Sequence, residues 1–117
     1  KLQARAELRD AKLGDLVQLD DSGFRVLFAG GPVKRIGHKR FIRNVLCAIG
    51  ASADVSLAPH VLARIDDDDS MVRGMAVWAL RELLPPDEFI RIAGERAPLE
   101  RDEDVAAEYL HEGDSGP

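Results

Sequence analysis

Residues 68–80 read Asp-Asp-Ser-Met-Val-Arg-Gly-Met-Ala-Val-Trp-Ala-Leu, and the fold follows from how this stretch is read. Val72, Ala76, Ala79, Leu80 and Leu83 recur at helical spacing and share one face, while Met71, Met75 and Trp78 cluster almost opposite. The spacing predicts a helix over 70–84, opened by the aspartate run and stopped by Pro85-Pro86. A helix that is apolar on two sides is either sandwiched between neighbours or awaits a partner. Met71, Met75 and Trp78 therefore pack on the following helix, or they form an interface for a part of the protein outside this chain. The same pattern occurs upstream: Phe41, Val45, Ala48 and Ile49 precede Val72, Ala76, Ala79 and Leu80 by 31 positions each. Val105 lies 33 positions beyond Val72 and follows Asp-Glu-Asp much as Val72 follows the aspartates. A two-helix unit recurring near 30 residues points to an all-α solenoid, in which stacking buries faces that no single pair could bury alone.

The remaining segments agree with an all-helical reading. The chain has 117 residues, enough for one modest core, and is 45% hydrophobic but only 5% aromatic, so that core is aliphatic. Residues 1–12 read as a charged, Ala-rich lead-in, 13–111 as a single helical domain and 112–117 as a flexible tail. Leu13, Leu16, Val17 and Leu19 give one short apolar patch. Asp20-Asp21-Ser22 is a helix-start signal for a second stripe, Phe24, Leu27 and Phe28, which Gly30-Gly31-Pro32 ends as a turn. Gly50 to Asp54 reads as a C-cap, loop and new N-cap. Leu57, Ala58, Val61, Leu62 and Ile65 then face inward from the next helix, with Pro59 in its first turn. Short helices over 87–96 and 103–111 complete the chain.

Charge is distributed unevenly. The chain carries a net charge of −5, yet none of its 21 acidic residues falls between Ser22 and Ala53, where Arg25, Lys34, Arg35, Lys39, Arg40 and Arg43 lie. On a helix beginning near His38, Phe41, Ile42, Val45, Leu46, Ala48 and Ile49 share the apolar side. Lys39, Arg40 and Arg43 take the other, with Cys47. A cationic surface concentrated in an acidic protein points to a polyanion; the plainer alternative is a solvated helix face paired with nearby carboxylates. Lys34, Arg35, Lys39, Arg40 and Arg43 are the candidate phosphate contacts, with Arg25 and His38 as outlying members. Asn44 is expected to bond the backbone of a neighbouring loop.

No autonomous active site is legible. The histidines, His38, His60 and His111, are scattered, the serines sit at caps and turns, and Cys47 is the only thiol. Asp66-Asp67-Asp68-Asp69 lacks the glycine and the terminal glutamate of a calcium loop. It reads as an interhelical turn whose last acids cap the next helix, with Arg73 near enough to pair with one of them. No metal site and no catalytic residue is expected in this chain. No apolar run has the length of a membrane span and no signal peptide is evident, so a cytoplasmic protein is expected.

Two resemblances sharpen these expectations. Asp69-Ser-Met-Val72-Arg73-Gly-Met-Ala76-Val-Trp-Ala79-Leu80 resembles the HEAT-like repeat of phycobilisome-lyase type, Asp-x-x-Val-Arg-x-x-Ala-x-x-Ala-Leu. Val33-Lys-Arg-Ile-Gly-His-Lys-Arg-Phe-Ile-Arg-Asn-Val45, followed by Ala48-Ile49-Gly50, resembles the C-terminal region of epoxyqueuosine reductases, with Ala51 where that family usually has Asn. This second resemblance runs from about Leu16 to Leu84. It implies a parent oxidoreductase that uses cobalamin and two [4Fe–4S] clusters, held upstream, to complete queuosine in tRNA. A chain beginning at Lys1 would then be a piece of that parent. The present residues would form a HEAT-like module holding the anticodon stem-loop region of tRNA and meeting the upstream catalytic domains. A reading from another class is a protein-interaction scaffold without nucleic acid, contacting its partner through Met71, Met75 and Trp78.

Overall fold

The computed structural model describes residues 2–111, with side chains from residue 9 onward. Among the described residues there are seven α-helices and no strand: α1 (Leu2–Val17), α2 (Asp21–Leu27), α3 (His38–Ser52), α4 (Ala58–Leu62), α5 (Ser70–Leu83), α6 (Pro86–Arg96) and α7 (Glu103–Leu110). Helices α1, α3, α5 and α7 pack side by side in that order; α2 lies on α3, α4 spans α1 and α5, and α6 rests on α5 and α7. The expected all-α class is what the chain adopts. Residues 2–12 of the expected lead-in form the first part of α1, which runs from Leu2 through Val17. The tail over 112–117 lies outside the described residues.

Local sequence signals set most of the helix starts. Asp20, Asp69 and Asp102 each precede a helix in extended backbone, and their carboxylates accept from first-turn N–H groups of α2, α5 and α7. Pro86 opens α6, where its missing N–H costs nothing. Between α3 and α4, Asp54 accepts from the Ser56 N–H, and a 3₁₀ turn, Val55–Leu57, leads into an α4 of only five residues. Leu62, the last residue of α4, is turned outward, 40% exposed, against the expectation that it faces inward.

Packing concentrates on α3 and α5. Ile42, Leu46 and Ile49 of α3 meet Val72, Ala76, Val77, Ala79 and Leu80 of α5 in a core that also takes in Val17 and Val61, all fully buried. Burying each large aliphatic side chain contributes roughly 1.5–3 kcal/mol. Ala48 does not belong to this face; it is exposed, one position outside the α3 stripe.

Gly50 has a different reason for being glycine than the helix end expected there. Helix α3 continues to Ser52, and the left-handed residue that closes it is Ala53, at φ 57°. A Cβ on Gly50 would stand 2.3 Å from Cζ3 of Trp78, so the bare backbone is what lets the six-membered ring of this α5 indole come against α3. Gly50→Ala should therefore destabilise the chain by about 1–3 kcal/mol through overpacking. The roughly 1 kcal/mol that alanine gains in helix propensity offsets only part of this. Equilibrium denaturation measures it, and a variant as stable as the parent would refute the close approach.

Candidate nucleic-acid interface

The basic surface is built from two short pieces of backbone. Gly30 turns the chain at φ +77°, Pro32 opens a 3₁₀ turn over Pro32–Ile36, and Gly37, at φ +85°, redirects it into α3. Lys34 and Arg35 stand exposed on the turn; Arg40 is exposed and Arg43 half-exposed one and two turns into α3. None of these four makes an ion pair among the described residues. Gly37 offers no side-chain cap, and α3 has no acid in its first turn, so the helix dipole adds to the positive field there. A groove of about 240 Å³ runs between Lys39, Arg40 and Arg43 on one side and Asp69 and Met71 on the other.

Three of the expected contacts are placed otherwise. Lys39 reaches across to the loop before α5, its ammonium 2.8 Å from both Asp67 and Asp68. Partial burial disfavours its charge, but hydrogen bonds to the two carboxylates prevail and hold its pKa above the ordinary lysine value. Arg25 pairs with Asp21 at 3.0 Å on the surface of α2. His38 is turned inward, 8% exposed, bonding the Leu19 carbonyl through Nε2 and packing on Phe24. It holds α3 to the end of the first helix rather than extending the basic surface. Asn44 is exposed and makes no side-chain hydrogen bond among the described residues, contrary to its expected structural role.

The four consecutive aspartates diverge. Asp66 pairs with Arg96; Asp67 with Lys39 and Arg64; Asp68 with Lys39; and Asp69 caps α5. Arg73 pairs with none of their carboxylates. Its guanidinium donates to the Asp67 and Asp68 carbonyls and forms a two-pronged bridge to Glu100, both prongs at 3.0 Å. Neither the Arg73–Glu100 bridge nor the Arg64 contacts are evident from composition. A usable signal exists in spacing: Lys39–Asp67, Arg73–Glu100 and Arg81–Glu108 are separated by 28, 27 and 27 residues, close to the repeat length.

Of the expected interface residues, Met71 is 57% exposed, whereas Met75 and Trp78 are half-buried against the core. All three line a second groove, about 430 Å³, between α3, α5 and α7, together with Arg43, Cys47, Asp104 and Glu108. Among the described residues no group of His, Cys, Asp or Glu is arranged to hold a metal ion. The lone thiol of Cys47 cannot supply the cysteine set of an iron–sulfur cluster. No helix among them is long and apolar enough to cross a membrane.

Comparison with known proteins relates the chain to epoxyqueuosine reductases. The proteins of that name from Alicycliphilus denitrificans and Xanthomonas campestris are 34% and 35% identical to it, each over 68% of this chain. The one from Shewanella oneidensis is 32% identical over 67%. The chain spans about a quarter of the length of these curated relatives, 21–24%. No protein-family model and no solved structure matches it.

Proposed function

We propose, from this kinship with epoxyqueuosine reductases, that the chain is the tRNA-holding module of such an enzyme, built on HEAT-like repeats. The parent reaction is the reduction of epoxyqueuosine to queuosine in tRNA. Cobalamin and two [4Fe–4S] clusters belong to residues outside this chain, and the catalytic domains that hold them are its neighbours. The carrying observation is electrostatic: Lys34, Arg35, Arg40 and Arg43 have no carboxylate partner among the described residues, in a chain of net charge −5. Arginine forks and lysine ammonium groups spread over one turn and one helix face suit a phosphate backbone. Lys39 takes a supporting place, because its ammonium already ties α3 to the next interhelical loop.

The test replaces Lys34, Arg35, Arg40 and Arg43 by alanine and leaves Lys39 intact. Each lost phosphate contact removes roughly 0.7–0.9 from the slope of log affinity against log salt, so the quadruple variant should flatten it by about 3. Affinity for an anticodon stem-loop RNA should fall at least ~10-fold at low salt, where phosphate contacts dominate. Thermal unfolding should barely move, since none of the four side chains bonds another side chain among the described residues. An unchanged salt slope in the folded variant would overturn the proposal in favour of a protein-contacting scaffold centred on Met71, Met75 and Trp78.

A further inference from the structure

Arg43 and Met71 line both grooves described above, so the basic groove adjoins the one floored by Met71, Met75 and Trp78. That second groove, at about 430 Å³, has the size of a small-ligand site, and its walls differ in kind. On α3 stands Arg43, a cation with no ion-pair partner among the described residues. Trp78 presents part of an aromatic ring from α5. Three carboxylates line the groove at α7, with different commitments, and that of Asp102 is taken up in capping the helix. Glu108 is held by Arg81, while Asp104 is exposed and its side chain bonds nothing among the described residues.

From this arrangement we infer that the groove takes one unpaired nucleotide, its base laid on Trp78 and the two methionines, its phosphate on Arg43 and its polar edge toward Asp104. The inference rests on the RNA-holding reading and specifies what part of the RNA the module grips. An unstacked base is recognised by an aromatic platform together with hydrogen bonds to its exposed edge. An ionised carboxylate only accepts, so Asp104 selects bases that present donors. Guanine presents two adjacent donors, N1–H and the N2 amino group, which match the two oxygens of one carboxylate; uracil presents a single N–H. The groove thus favours an unpaired guanosine over uridine. A duplex keeps those edges paired and reaches only the basic surface.

Trp78 is the only tryptophan, so its emission reports on this groove alone. The intact chain is titrated with a single-stranded oligouridine containing one central guanosine, with the all-uridine oligomer, and with a blunt RNA duplex. Anisotropy of labelled RNA follows binding while tryptophan emission is recorded. The guanosine oligomer should quench Trp78 saturably and bind about tenfold tighter than oligouridine, the size that one stacked, edge-read base supplies. Asp104→Ala should abolish that preference and leave the salt slope unchanged; the position is exposed and unbonded, so the fold survives. Salt-sensitive binding that leaves Trp78 emission unmoved, or a preference that persists in Asp104→Ala, would overturn the inference and leave the basic-surface proposal standing. Absence of binding to all three RNAs would overturn both.

Discussion

Arg73→Met is expected to cost about 3–5 kcal/mol, the usual penalty for breaking one side of a buried ion pair. Arg73 is 8% exposed, and the side chain of its partner Glu100 is 7% exposed. Methionine fills much of the volume but leaves the Glu100 carboxylate with the Asp102 N–H and no cation, and strips donors from the Asp67 and Asp68 carbonyls. Domains of this kind are stable by roughly 5–15 kcal/mol, so the loss is a large share of the whole. The pH dependence should weaken with it. In the parent chain, hydrogen bonds from Arg73 outweigh burial and hold Glu100 below the ordinary carboxylate value. Its stabilising contribution is present above the unfolded pKa and fades as pH falls through the folded one. In Arg73→Met the largest lowering influence is gone and burial is opposed only by backbone N–H groups, so the carboxyl titrates higher than in the parent and its stabilising contribution shrinks. Urea denaturation should therefore show the gap between the two proteins widening from acid to neutral pH. The double variant Arg73→Met, Glu100→Met should recover most of the loss, because an apolar pair needs no compensating charge. A double variant as unstable as the single one would show that packing, and not the orphaned carboxylate, carries the effect.

What the sequence makes legible divides along the range of the forces involved. Helix stripes and caps are local: the spacing of Val72, Ala76, Ala79 and Leu80, and the aspartate before α5, act within one or two turns, and the structure bears them out. The relation to epoxyqueuosine reductases is likewise readable, because it rests on a contiguous run of residue types from Val33 to Gly50. Misreadings arise where a distant element decides. Gly50 looks like a helix end until Trp78 from the next helix is placed on it, and His38 looks like a surface cation until the Leu19 carbonyl is brought to its ring. Lys39 belongs to the basic stretch by composition and to the interhelical loop by contact. Composition alone does not tell which of six neighbouring cations meets a carboxylate 28 residues away; only the shared spacing of the three cross-helix pairs points to Lys39. The candidate groove escapes a linear reading for the same reason, since Arg43, Trp78 and Asp104 come from three helices.

Acidification should expose Asp67 as the second support of the fold. Its side chain is 4% exposed; Oδ1 accepts from Lys39 at 2.8 Å and from the Asp69 N–H at 2.9 Å, and Oδ2 from Arg64 at 3.0 Å. Arg64 in turn donates to the carbonyls of Val17, the last residue of α1, and of Leu19 just beyond it, so this carboxylate fixes the group that ties α1 to the loop before α5. Burial alone would raise its pKa, but the hydrogen bonds and charge supplied chiefly by Lys39 and the Asp69 N–H prevail and bring it to about 2. A folded pKa below the unfolded one places the contribution above the ordinary aspartate value. About 2 kcal/mol should then be lost as pH falls from roughly 4 through 2. Asp67→Asn removes the charge that both cations need and should cost about 2–4 kcal/mol at neutral pH, two charge-assisted bonds being weakened at once. Denaturation curves of the two proteins should converge near the bottom of that window; a constant gap down to about pH 2 would remove Asp67 as its cause. The same substitution separates stability from function. Asp67→Asn removes one negative charge beside Lys39, Arg40 and Arg43 and leaves the Lys39 ammonium to Asp68 alone, so the variant should bind RNA at least as tightly as the parent while unfolding more readily. General loosening of the fold would weaken both together, whereas a lysine shared between a buried carboxylate and a phosphate moves them in opposite directions.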